Sequence, residues 1–175
     1  MRATRPITSF PCRRRRGGFT LIEASLTTVI VGVAFVAMLS LFATGTQVQS
    51  TSADLTTGVN LAKNVREMAM TMAFTSPVTP GTWGRDSGEQ ANAPGAWDDL
   101  NDMDNAVFSP PVDARGVAIE NADGWQQTVN VQCVDVNGMD SVLPDGTSNA
   151  VRITVITTRR SNEVYRLSWY AFKGM

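Results

Sequence analysis

Glu23 is the only charged side chain between Phe19 and Ala53. A carboxylate near the centre of a bilayer costs about 2.5–3.5 kcal/mol on insertion scales, and such acids usually find a partner. The chemistry it offers is ion pairing. Proteolysis between Gly18 and Phe19 creates a partner, because the new amine of Phe19 carries a positive charge. On a helix the two residues sit about 6 Å apart along the axis, at 1.5 Å per residue. Glu23 can then pair with its own terminus or, in a packed array, with that of a neighbour. The alternative is an uncleaved anchor whose acid reaches out to the headgroups.

A second group of oxygens lies at Asp98, Asp99, Asp102 and Asp104, with Asn101 and Asn105 between them. Calcium takes six to eight oxygen ligands, so these four aspartates are calcium candidates. The spacing is not that of an EF-hand, and no glutamate follows at the required offset. The other reading is a solvated acidic loop, since acids are mostly exposed. Asp140, Asp145 and Asn149 form another such group.

Other chemistries are poorly supplied, and no enzyme activity is expected. The chain contains no histidine, which removes the commonest general base and a main zinc ligand. Its two cysteines are Cys12 and Cys133, too few for a zinc–thiolate cluster. No P-loop glycine pattern occurs. Nothing separates a catalytic carboxylate pair from surface acids.

The elements that must position these residues begin with Arg13 to Arg16, Gly17 and Gly18. An apolar run follows, long enough to cross a bilayer, which takes roughly 20 mostly apolar residues. Arginines before such a run stay on the cytoplasmic side, which explains them better than a nucleic-acid patch does. Glycine without a side chain lets an extended backbone enter a protease cleft. Ala43-Thr44-Gly45 is a passable small-x-small site for an ordinary signal peptidase, but Glu23 interrupts the apolar core such a signal needs. Cys12 has no apolar segment before it, which argues against lipid attachment.

Gly18-Phe19-Thr20-Leu21-Ile22-Glu23 ahead of an apolar helix resembles the prepilin signal of type IV pilins and of type II secretion pseudopilins. Gly32 also stands where many pilins carry a glycine. The resemblance covers residues 13–45. It implies that prepilin peptidase cuts after Gly18, that Phe19 becomes the N-methylated terminus, and that Glu23 acts in assembly. It further implies an inner-membrane protein with a cytoplasmic N-terminus and a periplasmic head. Its partners would be other pilin or pseudopilin subunits and an inner-membrane assembly platform, within a pilus or pseudopilus filament. Acidic blocks like 98–105 occur in some minor pilins. Loss of the leader removes six arginines and no acid, turning the formal charge of −1 into −7. That balance argues against passive nucleic-acid binding. With Cys133 then the sole cysteine, the intrachain disulfide of many pilins is excluded. The missing disulfide and the acidic insertion favour a minor subunit over a principal one.

Past the apolar run the helical pattern continues to Ser76, ahead of Pro77 and Pro80. Leu61, Val65, Met68 and Met72 form one stripe, and Leu55, Val59 and Ala62 an adjacent one. Gly58 is a place for a local break, at about 1 kcal/mol against alanine. The expected divisions are a leader at 1–18, an apolar helix at 19–45, an amphipathic helix at 46–76 and a head at 77–175. Within the head, Thr75 to Gly95 is a Gly/Pro loop. Strands are expected at 125–136 and 151–157, with a turn at 159–162 and a closing strand through Tyr165, Leu167 and Trp169. Gly116 to Glu120 reads as a short edge strand, and Asn137-Gly138 and Asp145-Gly146 as turns within a loop. Cys133 falls on an inward face, while Trp125, Trp169 and Tyr170 read as core and sheet-edge packing. The fold class is α+β, a long N-terminal helix on a small antiparallel sheet. Two other functions stay open: a membrane-tethered binding domain that never polymerises, and a secreted enzyme released at Gly45.

Overall fold

The computed structural model describes residues 18–91 and 93–174. Residues 1–17, with Cys12, Arg13 to Arg16 and Gly17, on which the expected leader falls, lie outside the described residues. Contacts divide the chain into two compact units, Met1–Gln47 and Val48–Met175. Helix α1 runs from Leu21 to Ala69 and contributes to both.

In the first unit no described side chain is buried, and apolar residues from Leu21 to Phe42 are more than half exposed. This stretch is long and apolar enough to cross a membrane. Five of its hydroxyls, on Ser25, Thr27, Thr28, Thr44 and Thr46, are satisfied locally. Thr27 and Thr28 donate to the carbonyls of Glu23 and Ala24, and Thr44 donates to Ser40, each four residues back. Such back-bonding removes the need for water, which a lipid core does not supply.

The second unit is α+β. Five strands follow α1: β1 (Val107–Phe108), β2 (Trp125–Asp135), β3 (Gly138–Val142), β4 (Ala150–Arg159) and β5 (Asn162–Phe172). All pairings are antiparallel, in the order β1-β2-β4-β5, with β3 paired to the C-terminal end of β2. The predicted alternation holds. Val129, Val131 and Cys133 of β2 and Val151, Ile153 and Val155 of β4 are buried on one face. Ala62, Val65, Met68 and Ala69 of α1 share that core, and Tyr165, Leu167 and Trp169 pack against it.

Gly58 corrects the expected break. The helix passes through it intact, and Gly58 is buried. A Cβ there would meet Thr157 Oγ1 at 3.0 Å, Val164 Cγ1 at 3.1 Å and Tyr165 Cβ at 3.3 Å. Glycine is present because helix and sheet approach closely, a use that outweighs its poor propensity.

The helix also ends earlier than Pro77 suggested. Beyond Ala69, the Thr71 hydroxyl and amide both turn to Met68 O, at 2.7 and 3.1 Å, and Met72 N bonds Ala69 O at 3.2 Å. These three-residue bonds tighten the last turn and close it. Met72 still packs on the core from outside the helix.

Gly116 to Glu120 is not a strand. Asp113 Oδ1 takes the Arg115 and Val117 amides, Gly116 has φ +76°, and a single bridge joins Val112 to Ala118. The carboxylate replaces ladder partners, so a tight loop forms. Conversely, the segment after Asn137 is a strand where a loop was expected. Asp135 Oδ1 accepts the Asn137 amide at 2.9 Å, fixing the turn that folds β3 onto β2.

Candidate functional site

Of the residues singled out around the apolar helix, Gly18 and Phe19 are exposed and precede α1, and Glu23 lies in its first turn. Thr20 Oγ1 accepts the Glu23 amide at 3.3 Å, the bond by which a threonine caps a helix N-terminus. Phe19 therefore stands outside the first helical turn in this chain, so the helical spacing expected between Phe19 and Glu23 does not reach Phe19. Among the described residues, a Cβ built on Gly18 would meet nothing within 4 Å.

In the second unit the acidic segment is not a solvated loop. Asp99 and Asp102 are 1 and 2 % exposed. A 3-10 turn at Asn101–Met103 carries Met103 into the core, and Trp97 and Leu100 enter it from either side of Asp98 and Asp99. The apolar residues interleaved with the acids pull the segment down, and the carboxylates meet the backbone amides this exposes. Asp102 Oδ2 accepts the amides of Asp98 and Asp99, each at 3.1 Å. Asp99 Oδ1 accepts those of Asn101 and Asp102, at 2.8 and 3.3 Å.

Asp104 serves a different purpose. Its Oδ1 accepts the Val131 amide at 2.8 Å, while Ala106 O takes the Val129 amide at 2.8 Å. Together they continue the edge of β2 beyond the two residues of β1. An unpaired strand edge is thereby covered.

The four calcium candidates thus separate. Asp98 and Asp102 come together, and the third member is Glu89, a residue from the Gly/Pro loop. Their carboxylate oxygens lie within 4.8 Å of one another. Asp99 and Asp104 are held by backbone donors outside this trio. Asp140 and Asp145 stay exposed and join no such group among the described residues. No spacing rule links Glu89 to Asp98. Only the fold-back of the loop joins them, with Trp97 Nε1 bonding Gln90 O at 2.9 Å.

Two carboxyls of this segment and its loop, Glu89 and Asp99, favour protons. Burial, with repulsion from Asp102 and Asp98, raises the Glu89 carboxyl above its usual range, against an amide bond from Asp86. Burial and the Asp102 charge push Asp99 up to about 6. Like charges held this close share protons or accept a cation. Three carboxylates alone fall short of a full calcium shell.

Arg85 lies over the Trp97 ring at 5.7 Å and donates Nη2 to Asp104 O at 2.6 Å. Arg159 lies over Trp125 at 5.5 Å and pairs with Asp54 of α1. Both arginines fasten aromatic side chains, and Arg159 also lines an open concavity with Ser50, Asp54 and Arg160. Trp125 and Cys133 are buried as expected, whereas Tyr170 faces out from the sheet.

Comparison with protein-family profiles, with curated proteins and with solved structures finds no match.

Proposed function

We propose that this chain is a structural subunit, a minor pilin or pseudopilin, of a type IV pilus or type II secretion filament. The observation that carries the reading is the uncovered apolar surface of α1 directly after the Gly18-Phe19-Thr20-Leu21-Ile22-Glu23 motif. Exposed apolar patches beyond a few hundred Å² mark membrane or protein contacts. Here the surface includes Leu26, Ile30, Phe35, Leu39 and Phe42, all at least 55 % exposed. Lipid covers it first, and the equivalent helices of neighbouring subunits cover it in the filament.

On this reading prepilin peptidase, in the inner membrane, removes residues 1–18 and methylates Phe19. Helix α1 holds the head on the periplasmic side until the assembly platform extracts it. Glu23 meets the terminal amine of a neighbour and sets the register. Its position in the first turn, behind the Thr20 cap, is in keeping with that role. The α+β second unit, with its amphipathic helix half and antiparallel sheet, supports the same family.

The test is incorporation. Glu23→Ala and Glu23→Leu should insert and be processed but be lost from sheared filaments. Incorporation at the unsubstituted level would remove Glu23 from the mechanism. A chain that is never found in filaments, even unsubstituted, would instead be a membrane-tethered domain.

A further inference from the structure

The outer face of the sheet is uncovered and mostly polar. Three strands align their outward side chains in rows. Gln132, Arg152 and Tyr170 make one row, and Asn130, Thr154 and Ser168 the next. Strands lie about 4.8 Å apart, and outward residues repeat about 6.7 Å along each. Together these residues line a concavity of about 530 Å³, a volume in the range of small-ligand sites.

Charge on this face is local and positive. The chain has 16 acids, yet none lines the concavity. Two arginines do. Arg166 is held by Glu163, with Nε and Nη2 bonds of 3.0 and 2.9 Å, so its charge is compensated. Arg152 donates Nη2 to the neutral Gln132 Oε1 at 2.8 Å, which orients the guanidinium, and it forms no ion pair among the described residues. Around it are amides and hydroxyls, with Ile156 and the Tyr170 ring, 39 % exposed, beside them; Asn130 Nδ2 donates to Asp104 Oδ1 at 3.3 Å, and the Thr154 and Ser168 hydroxyls bond each other at 2.9 Å.

We infer that this face binds an acidic oligosaccharide, its carboxylate on Arg152 and one sugar ring against Tyr170. Arginine's planar fork matches a carboxylate. Amides and hydroxyls can both donate to and accept from sugar hydroxyls. A tyrosine ring offers an apolar face with a polar tip, suited to the C–H face of a sugar. Nucleic acid fits less well, because its binding rests on neutralising several phosphates and this face holds one arginine that forms no ion pair among the described residues. The inference is independent of filament assembly, since it requires only the second unit.

The experiment is calorimetric titration of the full chain in detergent micelles with trigalacturonate, its methyl ester and an oligothymidylate. Trigalacturonate should bind, and the ester at least about ten-fold more weakly, the loss expected for one charge-assisted contact. Arg152→Gln should weaken trigalacturonate by a similar factor. Ser168→Glu, which places an acid on the exposed face, should abolish binding, with thermal unfolding confirming that both variants fold. Absence of trigalacturonate binding overturns the proposal, as does equal affinity for the ester or indifference to both substitutions. Tighter binding of the oligothymidylate overturns it in favour of nucleic acid.

Discussion

Gln127 on β2 donates its side-chain amide to the carbonyl of Leu61 on α1, at 2.8 Å. The same side chain holds both backbone groups of Val112, accepting the N–H at 2.7 Å and donating to the carbonyl at 3.1 Å. One fully buried amide thus joins helix, sheet and loop. Gln127→Leu keeps the volume but leaves the buried Val112 groups without partners. A buried unsatisfied group costs about 1–3 kcal/mol, so we expect a loss of roughly 3 kcal/mol. Urea unfolding of the full chain in detergent, followed by tryptophan fluorescence, measures it. A loss below about 1 kcal/mol would show that this amide is not a fastening point.

Gly58 sets up a contest between propensity and space. Alanine gains about 1 kcal/mol in a helix interior. Against that gain, its Cβ meets three side chains at 3.0–3.3 Å, one of them the fully buried Thr157. We expect space to win. Gly58→Ala should be destabilising by about 1 kcal/mol and Gly58→Leu by about 3 kcal/mol, the cost range of overpacking. A stabilised Gly58→Ala protein would mean that the helix–sheet gap opens freely.

Asp99 and Glu89 make stability depend on pH in a definite direction. Both carboxyls are raised in the folded chain, Asp99 from 3.8 to about 6. Their contribution is complete below the unfolded value and is lost as pH rises through the folded one. The Asp99 contribution should therefore fall between about pH 4 and pH 6, and that of Glu89 as pH rises above its ordinary 4.5. Asp113 and Glu163, lowered by amide and arginine bonds, act oppositely and at lower pH, below their ordinary 3.8 and 4.5. Urea midpoints measured across pH 4 to 7 should decline for the unsubstituted chain and decline less steeply in Glu89→Gln, where the Asp99 contribution remains. A Glu89→Gln profile parallel to the parent would exclude Glu89 as a source of the decline.

Arg160 and Ser161 both adopt positive φ, 50° and 68°, at the turn between β4 and β5. Two such residues in succession are the signature of a type I′ hairpin turn, where asparagine and glycine are preferred. Ser161→Gly should stabilise the hairpin by about 0.5–1 kcal/mol, because a left-handed conformation costs an L-residue with a side chain about that much or more. A higher midpoint of thermal unfolding is the readout, and an unchanged one would show that the turn relaxes without strain.

Legibility in the sequence followed how local each cause was. The alternation in Val129, Val131 and Cys133 and in Val151, Ile153 and Val155 revealed two strands, because period-two burial is written residue by residue. The same holds for the stripe through Leu61, Val65 and Met68. What could not be read were effects of tertiary neighbours. Gly58 looked like a weak point until Thr157 was placed beside it. Asp104 looked like a cation ligand and instead stands in for a strand along Val131. Glu89 carried no signal, because only the folded loop brings it to Asp98 and Asp102. The helix end was misjudged because Pro77 is a conspicuous breaker, while the competing Thr71 hydroxyl is not. β1 has two residues and no pattern to detect.

The central claim is that Glu23 is tolerated in an apolar helix because proteolysis after Gly18 supplies an amine to neutralise it. Intact-mass and N-terminal analysis of the chain, coexpressed with a prepilin peptidase, tests this most directly. The account predicts a chain beginning at N-methylated Phe19, and no such product when Gly18 is replaced by a bulky residue. A chain that keeps Arg13 to Arg16, or one that begins at Thr46, would contradict it.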